Sequence, residues 1–297
     1  MSSAGRDYDV IIIGGGPAGL SAGIYTARDR FRSLLIEKGI IGGQIVNAEY
    51  VENYPGFHEG ISGVDLTQQM HQQAAKFGLE TILAEATGIE LRGDKKTVRT
   101  SEGDFTARVV IIAGGSERQK LGVPGEEEYA GKGVSYCATC DGAFFVDKTV
   151  AVVGGGDAAI TEALHVTRFA SRVILIHRRN ELRATRIMQE KAAANPKIEM
   201  LLDTVVEAIE GDAFCRKLRL RRVSTGQQSE MAVDGVFISV GFKPGTGFLQ
   251  GLLKLSEDGA IITNNRLETE IPGILAAGDI RHHSGRQVIS AAGDGAS

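Results

Sequence analysis

Cys137-Ala138-Thr139-Cys140-Asp141 packs more reactive side chains into five positions than any other stretch of this 297-residue chain. Two thiols separated by two residues sit on one turn of backbone, within reach of a disulfide. Opening that bond takes two electrons and leaves a thiolate that must gain or share a proton, and Asp141 is the ionisable side chain tied by sequence to the sulfurs. The same carboxyl could cap a helix that starts at the dithiol, a role compatible with proton transfer, and such a helix N-terminus would favour thiolate. Zinc would need a second ligand pair, and neither Cys215 nor His282-His283 stands at a finger spacing, so no metal is expected. Cys215 reads as a structural thiol in a strand or turn. His282 and His283 read as polar loop residues, and His58, His71 and His165 as surface or satisfied core histidines.

A dithiol that turns over needs an electron source, and two glycine-rich turns offer one. Gly14-Gly15-Gly16-Pro17-Ala18-Gly19 follows the apolar run Val10-Ile13, and Gly154-Gly155-Gly156-Asp157-Ala158-Ala159 follows Val150-Val153. Between a strand and a helix, such a turn lets backbone approach a pyrophosphate, which meets the unpaired N–H groups and positive dipole end of the helix. One such motif alone could be an ordinary glycine turn. Here the spacing from Gly14 to Gly154 is 140 residues, and the spacing from Glu37 to His177 is the same. Glu37 closes Ser33-Leu34-Leu35-Ile36, where a carboxylate accepts hydrogen bonds from a bare ribose and repels a 2′-phosphate, so it points to FAD or NAD. His177-Arg178-Arg179, with Arg183, closes Arg172-Val173-Ile174-Leu175-Ile176 and points to NADP, the plain alternative being a solvated helix start.

The elements that must position these residues recur with the motif. After the first turn come an amphipathic helix (Gly19 to about Arg28), a strand ending at Glu37, a helix near Val64-Phe77, an alternating stretch from Ile89 to Thr106, and an apolar strand Val109-Ile112 running into Gly114. After the second come a helix near Ala158-Thr167, a strand ending at His177, a helix near Thr185-Ala194, alternating strands across Val205-Val223, and a closing strand Val236-Val240 into Gly241. Two copies of one pattern imply an α/β protein of two Rossmann-like doubly wound domains, each with a parallel sheet and a β-meander crossover. A further strand-like run, Ile274-Leu275-Ala276-Ala277-Gly278-Asp279, follows the second copy. The first domain is therefore expected to be discontinuous, residues 1–120 and 245–297, with residues 121–244 inserted. The joins fall near Leu121-Gly122-Val123-Pro124-Gly125 and Gly241-Phe242-Lys243-Pro244-Gly245, both rich in Pro and Gly and suited to a hinge.

Composition sets outer limits. The chain is 42% hydrophobic with 39 glycines, which suits an α/β protein rich in tight turns. No apolar run approaches the ~20 residues of a membrane span, and the N-terminus has no hydrophobic signal core, so a cytoplasmic protein is expected. A formal net charge of −4 gives no general attraction for nucleic acid. Three cysteines do not make a secreted disulfide framework.

With these residues assembled, the chain resembles bacterial low-molecular-weight NADPH-dependent thioredoxin reductases from Tyr8 to Ala296. The resemblance is carried by the two glycine turns, Gly42-Gly43-Gln44, Glu52-Asn53-Tyr54-Pro55-Gly56, Val123-Pro124-Gly125-Glu126, Cys137-Ala138-Thr139-Cys140-Asp141, His177-Arg178-Arg179, Gly278-Asp279 and Arg286-Gln287-Val288. It implies FAD in the discontinuous domain, NADPH in the inserted one, a homodimer, and thioredoxin or a thioredoxin-like protein as electron acceptor. By motif match, Cys140 is the flavin-side sulfur, Cys137 attacks the partner's disulfide, and Asp141 carries the proton. FAD falls to Gly14, Gly16, Pro17, Ala18, Gly19 and Glu37, and to a lining of Gly43, Gln44, Asn53, Gly114, Gly278, Asp279, Arg286, Gln287 and Val288. NADPH falls to Gly154, Gly156, Asp157, Ala158 and Gly241, with His177 and the three arginines at the 2′-phosphate. Rotation of one domain, a property of the family, fits hinge-like joins. Thioredoxin's potential of roughly −270 mV requires a donor at least as reducing, which NADPH satisfies. The competing functions are a flavin-dependent dithiol reductase or oxidase with another donor or partner, such as ferredoxin or small dithiols, and a flavin redox sensor.

Overall fold

The computed structural model describes residues 6–249 and 251–297. It divides into two compact units, Met1–Glu117 with Lys243–Ser297, and Arg118–Phe242, so the second is inserted into the sequence of the first. The N-terminal segment runs β1 (Asp7–Ile13), α1 (Pro17–Arg28), β2 (Ser33–Glu37), α2 (Gly63–Phe77), β3 (Glu80–Leu83), β4 (Ala86–Arg92), β5 (Lys95–Thr100), β6 (Phe105–Ile112) and β7 (Ser116–Arg118). The inserted segment runs β8 (Val134–Ser135), α3 (Ala138–Asp141), β9 (Thr149–Val153), α4 (Asp157–Val166), β10 (Arg172–Ile176), α5 (Arg186–Ala194), β11 (Ile198–Leu201), β12 (Thr204–Gly211), β13 (Cys215–Arg222), β14 (Gln228–Ala232) and β15 (Gly235–Ile238). The chain returns through β16 (Phe242–Pro244) to β17 (Ile274–Ala276) and α6 (Val288–Ala296).

In the first unit the sheet order is β3-β2-β1-β6-β5-β4, with β17 also on β6. β1 pairs in parallel with both β2 and β6, the register setting Ile13 beside Ile36 and Ile112. Buried on both faces, β1 reads as a continuous apolar run. Its alternation divides the core: Ile11 and Ile13 join Val98, Phe105 and Ile274 on one side, and Val10 and Ile12 join Leu20, Leu66 and Ala291 from the helices on the other. α1 opens with Pro17, which needs no N–H partner in the first turn. α2 is capped by Ser62, whose Oγ accepts the Asp65 N–H, and stops at Gly78 with φ 103°.

The second unit repeats the plan as β11-β10-β9-β15-β8, while β12-β13-β14 form a separate antiparallel sheet. Val150, Val152, Val173 and Leu175 pack with α4 residues, and Ala151, Val153, Ile174 and Ile176 pack with Val206, Leu218 and Leu220 of the separate sheet. Cys215, read from sequence as a structural thiol, is buried at the start of β13, and burial pushes its thiol up to about 11. Six strands that the sequence pattern did not separate out, β3, β7, β8, β11, β14 and β16, each stand at the edge of a sheet. Edge strands face solvent on one flank, so they carry neither the long apolar run nor the clean alternation by which the central strands are read. No helix among the described residues is long and apolar enough to cross a membrane.

Candidate functional site

In the first unit, the turn after β1 is shaped by glycines with different tasks. Gly14 lies at φ 109°, where a Cβ would collide with the Ala113 carbonyl and the Gly114 amide. At Gly19 a Cβ would strike the Gly14 carbonyl, so this glycine lets α1 close onto the strand. Gly16 differs: a Cβ there would meet only the Gly43 Cα, at 3.9 Å. It is the N-cap of α1 and supplies no side-chain cap, leaving the first-turn N–H groups open to an anion. Gly43 (φ 64°) brings a second backbone segment against Gly16, and the Gly42 N–H donates to the Gly15 carbonyl at 2.7 Å.

Glu37 ends β2 beside this turn. Its carboxylate accepts the Gly15 N–H at 2.6 Å and the Gly39 N–H at 2.8 Å, so its place is fixed by backbone. Gln44 reaches the Ser116 carbonyl at 3.4 Å. Residues from the far end of the same unit join this group. The Asn53 amide donates to the Gln287 side chain at 3.0 Å across 234 positions, and Gln287 caps α6, which Val288 begins. A Cβ on Gly278 (φ 76°) would fall within 3.0 Å of Ala18, so the Gly278-Asp279 turn abuts the start of α1. Asp294 holds that turn, accepting the Gly278 N–H at 2.9 Å and pairing with Arg281 at 2.6 Å. Burial pushes the Asp279 carboxyl up, against the Ser284 hydroxyl that donates to it at 2.9 Å. Arg286 stands 3.7 Å from Asp258, and its charge also reaches Asp279, partly opposing the effect of burial there.

In the second unit, His177 takes the place that Glu37 has in the first: Gly15 lies over the Glu37 side chain, and Gly155 lies over the His177 ring so closely that any Cβ would strike it. His177 is 6% exposed, and its Nε2 is a buried atom without a hydrogen-bond partner among the described residues. Burial, then Arg183, Arg179 and Arg178, hold its pKa below the ordinary value, so the ring is neutral near pH 7. The Gly155 carbonyl accepts the Arg183 N–H at 2.6 Å, bringing that arginine's backbone onto the turn. A cavity of about 360 Å³ opens here, lined by Lys120, Gly154, Gly155, His177, Arg178 and Arg183 among others. Arg179 is exposed and outside that lining. At Gly156 a Cβ would meet open space. Asp157 turns away, accepting the Thr185 N–H at 2.7 Å and its hydroxyl at 3.1 Å, while Ala158 is exposed in the first turn of α4. Gly241 (φ 122°) accepts the Gln119 N–H at 2.9 Å, closing the β15 end of the unit.

Both turns therefore leave what a dinucleotide requires: an open cradle at Gly16 and Gly156 that a Cβ would fill, uncapped helix N–H groups, and in the second turn an unpaired ring nitrogen beside two lining arginines. The residues fit FAD at the first turn and a phosphorylated nicotinamide dinucleotide at the second.

The dithiol lies in the same unit as the second turn. Cys137 and Cys140 are joined as a disulfide with Cα atoms 5.3 Å apart. Cys137 is the N-cap of the short helix α3, and Asp141 is its last residue, so the carboxyl does not cap it. Ser135, on β8, donates from Oγ to Asp141 at 2.7 Å and accepts the Cys137 N–H at 3.0 Å. Cys137 is half-buried with the Thr139 hydroxyl 3.3 Å from its sulfur, whereas Cys140 is exposed. A second cavity, about 410 Å³, has Ser135 and Asp141 in its wall with Phe144, Lys148, Phe214 and Arg216 among others, and neither cysteine lines it. Phe144 is 80% exposed.

Sequence reasoning did not single out Ser135 at the dithiol, Phe144 and Phe214 in the second cavity, nor the Arg118–Glu162 pair. Glu162 lies on α4, where burial pushes its carboxyl up, and Arg118 also stands over the Phe242 ring at 5.5 Å. Ser135, two residues before Cys137, was within reach of a search for hydroxyls near the dithiol. The other partners meet only in three dimensions.

The model of the family described as pyridine nucleotide-disulphide oxidoreductase matches residues 8–295. The chain is 48% identical to the thioredoxin reductase of Bacillus subtilis (strain 168), covering 97% of this chain and 91% of that one. It is 46% identical to the thioredoxin reductase of Mycolicibacterium smegmatis, covering 99% and 95%. Among solved structures, Lactococcus lactis thioredoxin reductase superposes with a TM-score of 0.95 at 45% identity, covering 97% of this chain and 95% of that chain. T. acidophilum thioredoxin reductase gives a TM-score of 0.93 at 34% identity, covering 98% and 96%. The glycine turns, the dithiol and the fold all agree with these likenesses, and this chain belongs to the pyridine nucleotide-disulphide oxidoreductase family.

Proposed function

We propose that this chain is an enzyme that takes electrons from NADPH, carries them through FAD, and delivers them through the Cys137–Cys140 pair to the disulfide of thioredoxin. The observation that carries this function is the conjunction of a disulfide-forming Cys-x-x-Cys pair with two dinucleotide turns of opposite ribose preference, Glu37 at one and His177-Arg178 at the other. When bound, FAD supplies a carrier able to accept a hydride from nicotinamide and pass two electrons to a disulfide.

The residues of the first turn, Gly14, Gly16, Pro17, Ala18 and Gly19, hold the FAD pyrophosphate on open N–H groups, and Glu37 accepts from the ribose hydroxyls. Gly43, Gln44, Asn53, Gly114, Asp279 and the Arg286-Val288 segment complete its lining. In the inserted unit, Gly154, Gly156, Asp157, Ala158 and Gly241 shape the NADPH turn, with Arg178 and Arg183 at the 2′-phosphate and Arg179 flanking them. The neutral His177 closes the wall of the cavity beside them.

Once reduced, the pair returns its electrons by thiol exchange. The thiolate of one cysteine attacks one partner sulfur, forming a mixed disulfide and releasing the partner's other sulfur as thiolate. The second cysteine then attacks the first, expelling the partner's remaining sulfur and restoring Cys137–Cys140. Two protons end on the partner's thiols, and Asp141, held by Ser135, carries one between the dithiol and solvent. In this reaction Cys137 is the sulfur that attacks the partner and Cys140 the one on the flavin side, the assignment that the family resemblance implies. Phe144, exposed three residues beyond Asp141, gives the partner an apolar contact.

Homodimerisation and a cytoplasmic location belong to the same proposal, supported by the family resemblance. A ferredoxin-fed reductase is disfavoured because such a donor has no use for a cavity lined by Arg178 and Arg183. The test is reduction of oxidised thioredoxin by NADPH with flavin-loaded protein. Steady turnover supports the proposal, and turnover with a reduced ferredoxin but none with NADPH contradicts it.

A further inference from the structure

One buried carboxylate lies between the nucleotide cavity and the dithiol and takes no part in either as described so far. Glu126 is 1% exposed. Its Oε1 accepts the Leu121 N–H at 2.9 Å and the Tyr136 hydroxyl at 2.6 Å, and its Oε2 accepts the Gly122 N–H at 2.6 Å. All three donors are neutral. A carboxyl group out of water needs such donors in place of its lost hydration, and bonds of 2.6 Å are short ones.

The donors come from two functional segments. Leu121 lines the 360 Å³ cavity beside Lys120 and Val123, and Leu121-Gly122 belongs to the Pro/Gly-rich stretch that enters the inserted unit. Tyr136 directly precedes Cys137, between β8 and α3. Burial, and after it the adjacent carboxylate, push the Tyr136 phenol up, so it remains a donor at any physiological pH. A further bond ties Glu126 to the same stretch, its N–H donating to the Val123 carbonyl at 3.2 Å. Every residue named lies within Arg118–Phe242.

We infer, on the proposed function, that Glu126 is a positioning residue that fastens one wall of the NADPH cavity to the backbone entering the dithiol, so that neither can shift without the other. The carboxylate touches neither the nucleotide nor the sulfurs. It acts through Leu121 and Gly122 on one side and through Tyr136 on the other.

Two variants test this in the full-length, flavin-loaded protein, Glu126→Gln and Tyr136→Phe, with two readouts that need no turnover. The first is the NADP⁺ dissociation constant by calorimetry, and the second is the dithiol–disulfide equilibrium of Cys137–Cys140 against glutathione by thiol trapping. Glu126→Gln turns an acceptor into an amide donor that faces backbone N–H groups, and is expected to weaken NADP⁺ about tenfold and shift the dithiol equilibrium at least threefold. Tyr136→Phe keeps the backbone bonds and is expected to shift the dithiol equilibrium about threefold while weakening NADP⁺ by about twofold or more. If Glu126→Gln does not fold, Tyr136→Phe alone decides, because its removed hydroxyl lies on the dithiol side while NADP⁺ binding reads the other. Unchanged values of both quantities in Tyr136→Phe, or a lowered melting temperature with both unchanged in Glu126→Gln, would overturn the inference. Wild-type protein that binds no NADP⁺ would instead overturn the proposed function beneath it.

Discussion

The Ser135 hydroxyl and the Asp141 carboxylate are joined at 2.7 Å, and the same serine oxygen receives the Cys137 N–H at 3.0 Å. One side chain on β8 thereby sets the acid and the first sulfur in a fixed relation before the disulfide opens. Pre-setting matters because a proton carrier acts only within hydrogen-bond reach of the group it serves. On the proposed function the two sulfurs have different parts, Cys137 toward the partner and Cys140 toward the flavin.

That asymmetry gives different outcomes for the two cysteines. Cys137→Ser and Cys140→Ser each abolish thioredoxin turnover, by about a thousandfold or more, because the exchange needs both sulfurs. Flavin reduction by NADPH survives in both. Cys140→Ser retains Cys137, the attacking sulfur of the proposed function, and accumulates a mixed disulfide with thioredoxin, whereas Cys137→Ser traps far less. Non-reducing electrophoresis after mixing with oxidised thioredoxin reads the difference.

At the second turn, Arg178→Ala combined with Arg183→Ala weakens NADPH by about one hundredfold and NADH by less than about threefold. Each lost charge-assisted bond to phosphate is worth roughly tenfold, and NADH offers no 2′-phosphate to lose. Steady-state KM values for the two nucleotides check this, and equal losses for both would show that these arginines do not read the phosphate.

Gly16 separates folding from cofactor binding. Because a Cβ there meets only the Gly43 Cα at 3.9 Å, Gly16→Ala folds with unchanged circular dichroism yet fills the space a pyrophosphate would occupy. Its bound flavin, read from the visible absorbance, falls at least about tenfold. Gly14→Ala, by contrast, drives a Cβ into the Ala113 carbonyl and lowers the melting temperature as well.

His177 predicts a pH dependence with a definite sign. Its folded pKa lies below the ordinary 6.5, so between those values the unfolded chain binds the proton that the native ring refuses. Stability contributed by the neutral ring is present above pH 6.5 and is lost as pH falls through the depressed value. Urea midpoints measured at pH 7.5 and 5.5 should therefore differ more in the wild type than in His177→Gln, and an NMR titration should place the ring's midpoint below 6.5.

Much of this was legible before any coordinates. The 140-residue spacing of Gly14 to Gly154 and of Glu37 to His177 reflects a repeated strand–turn–helix unit, and the long central strands announced themselves by apolar runs because both faces are buried. Edge strands such as β14 did not, since solvent on one flank removes the pattern. Asp141 was read as a possible helix cap and stands at the end of α3 instead, a distinction that depends on where the helix begins, within a residue or two. Asp157 is assigned to the NADPH turn by motif match, and its bonds to Thr185, 28 positions away, hold its carboxylate aside. Contacts of that kind, like those of Glu126 with Tyr136 and Asp294 with Gly278, depend on which loops the fold brings together, and no local pattern encodes them.

The most direct measurement of the electron path is an anaerobic titration of the flavin-loaded protein with NADPH, followed by oxidised thioredoxin. The account predicts that the flavin absorbance bleaches with NADPH, that Cys137 and Cys140 become titratable thiols, and that added thioredoxin restores both the colour and the disulfide. A flavin that stays oxidised under excess NADPH, or one that bleaches while the Cys137–Cys140 bond remains intact, would contradict it.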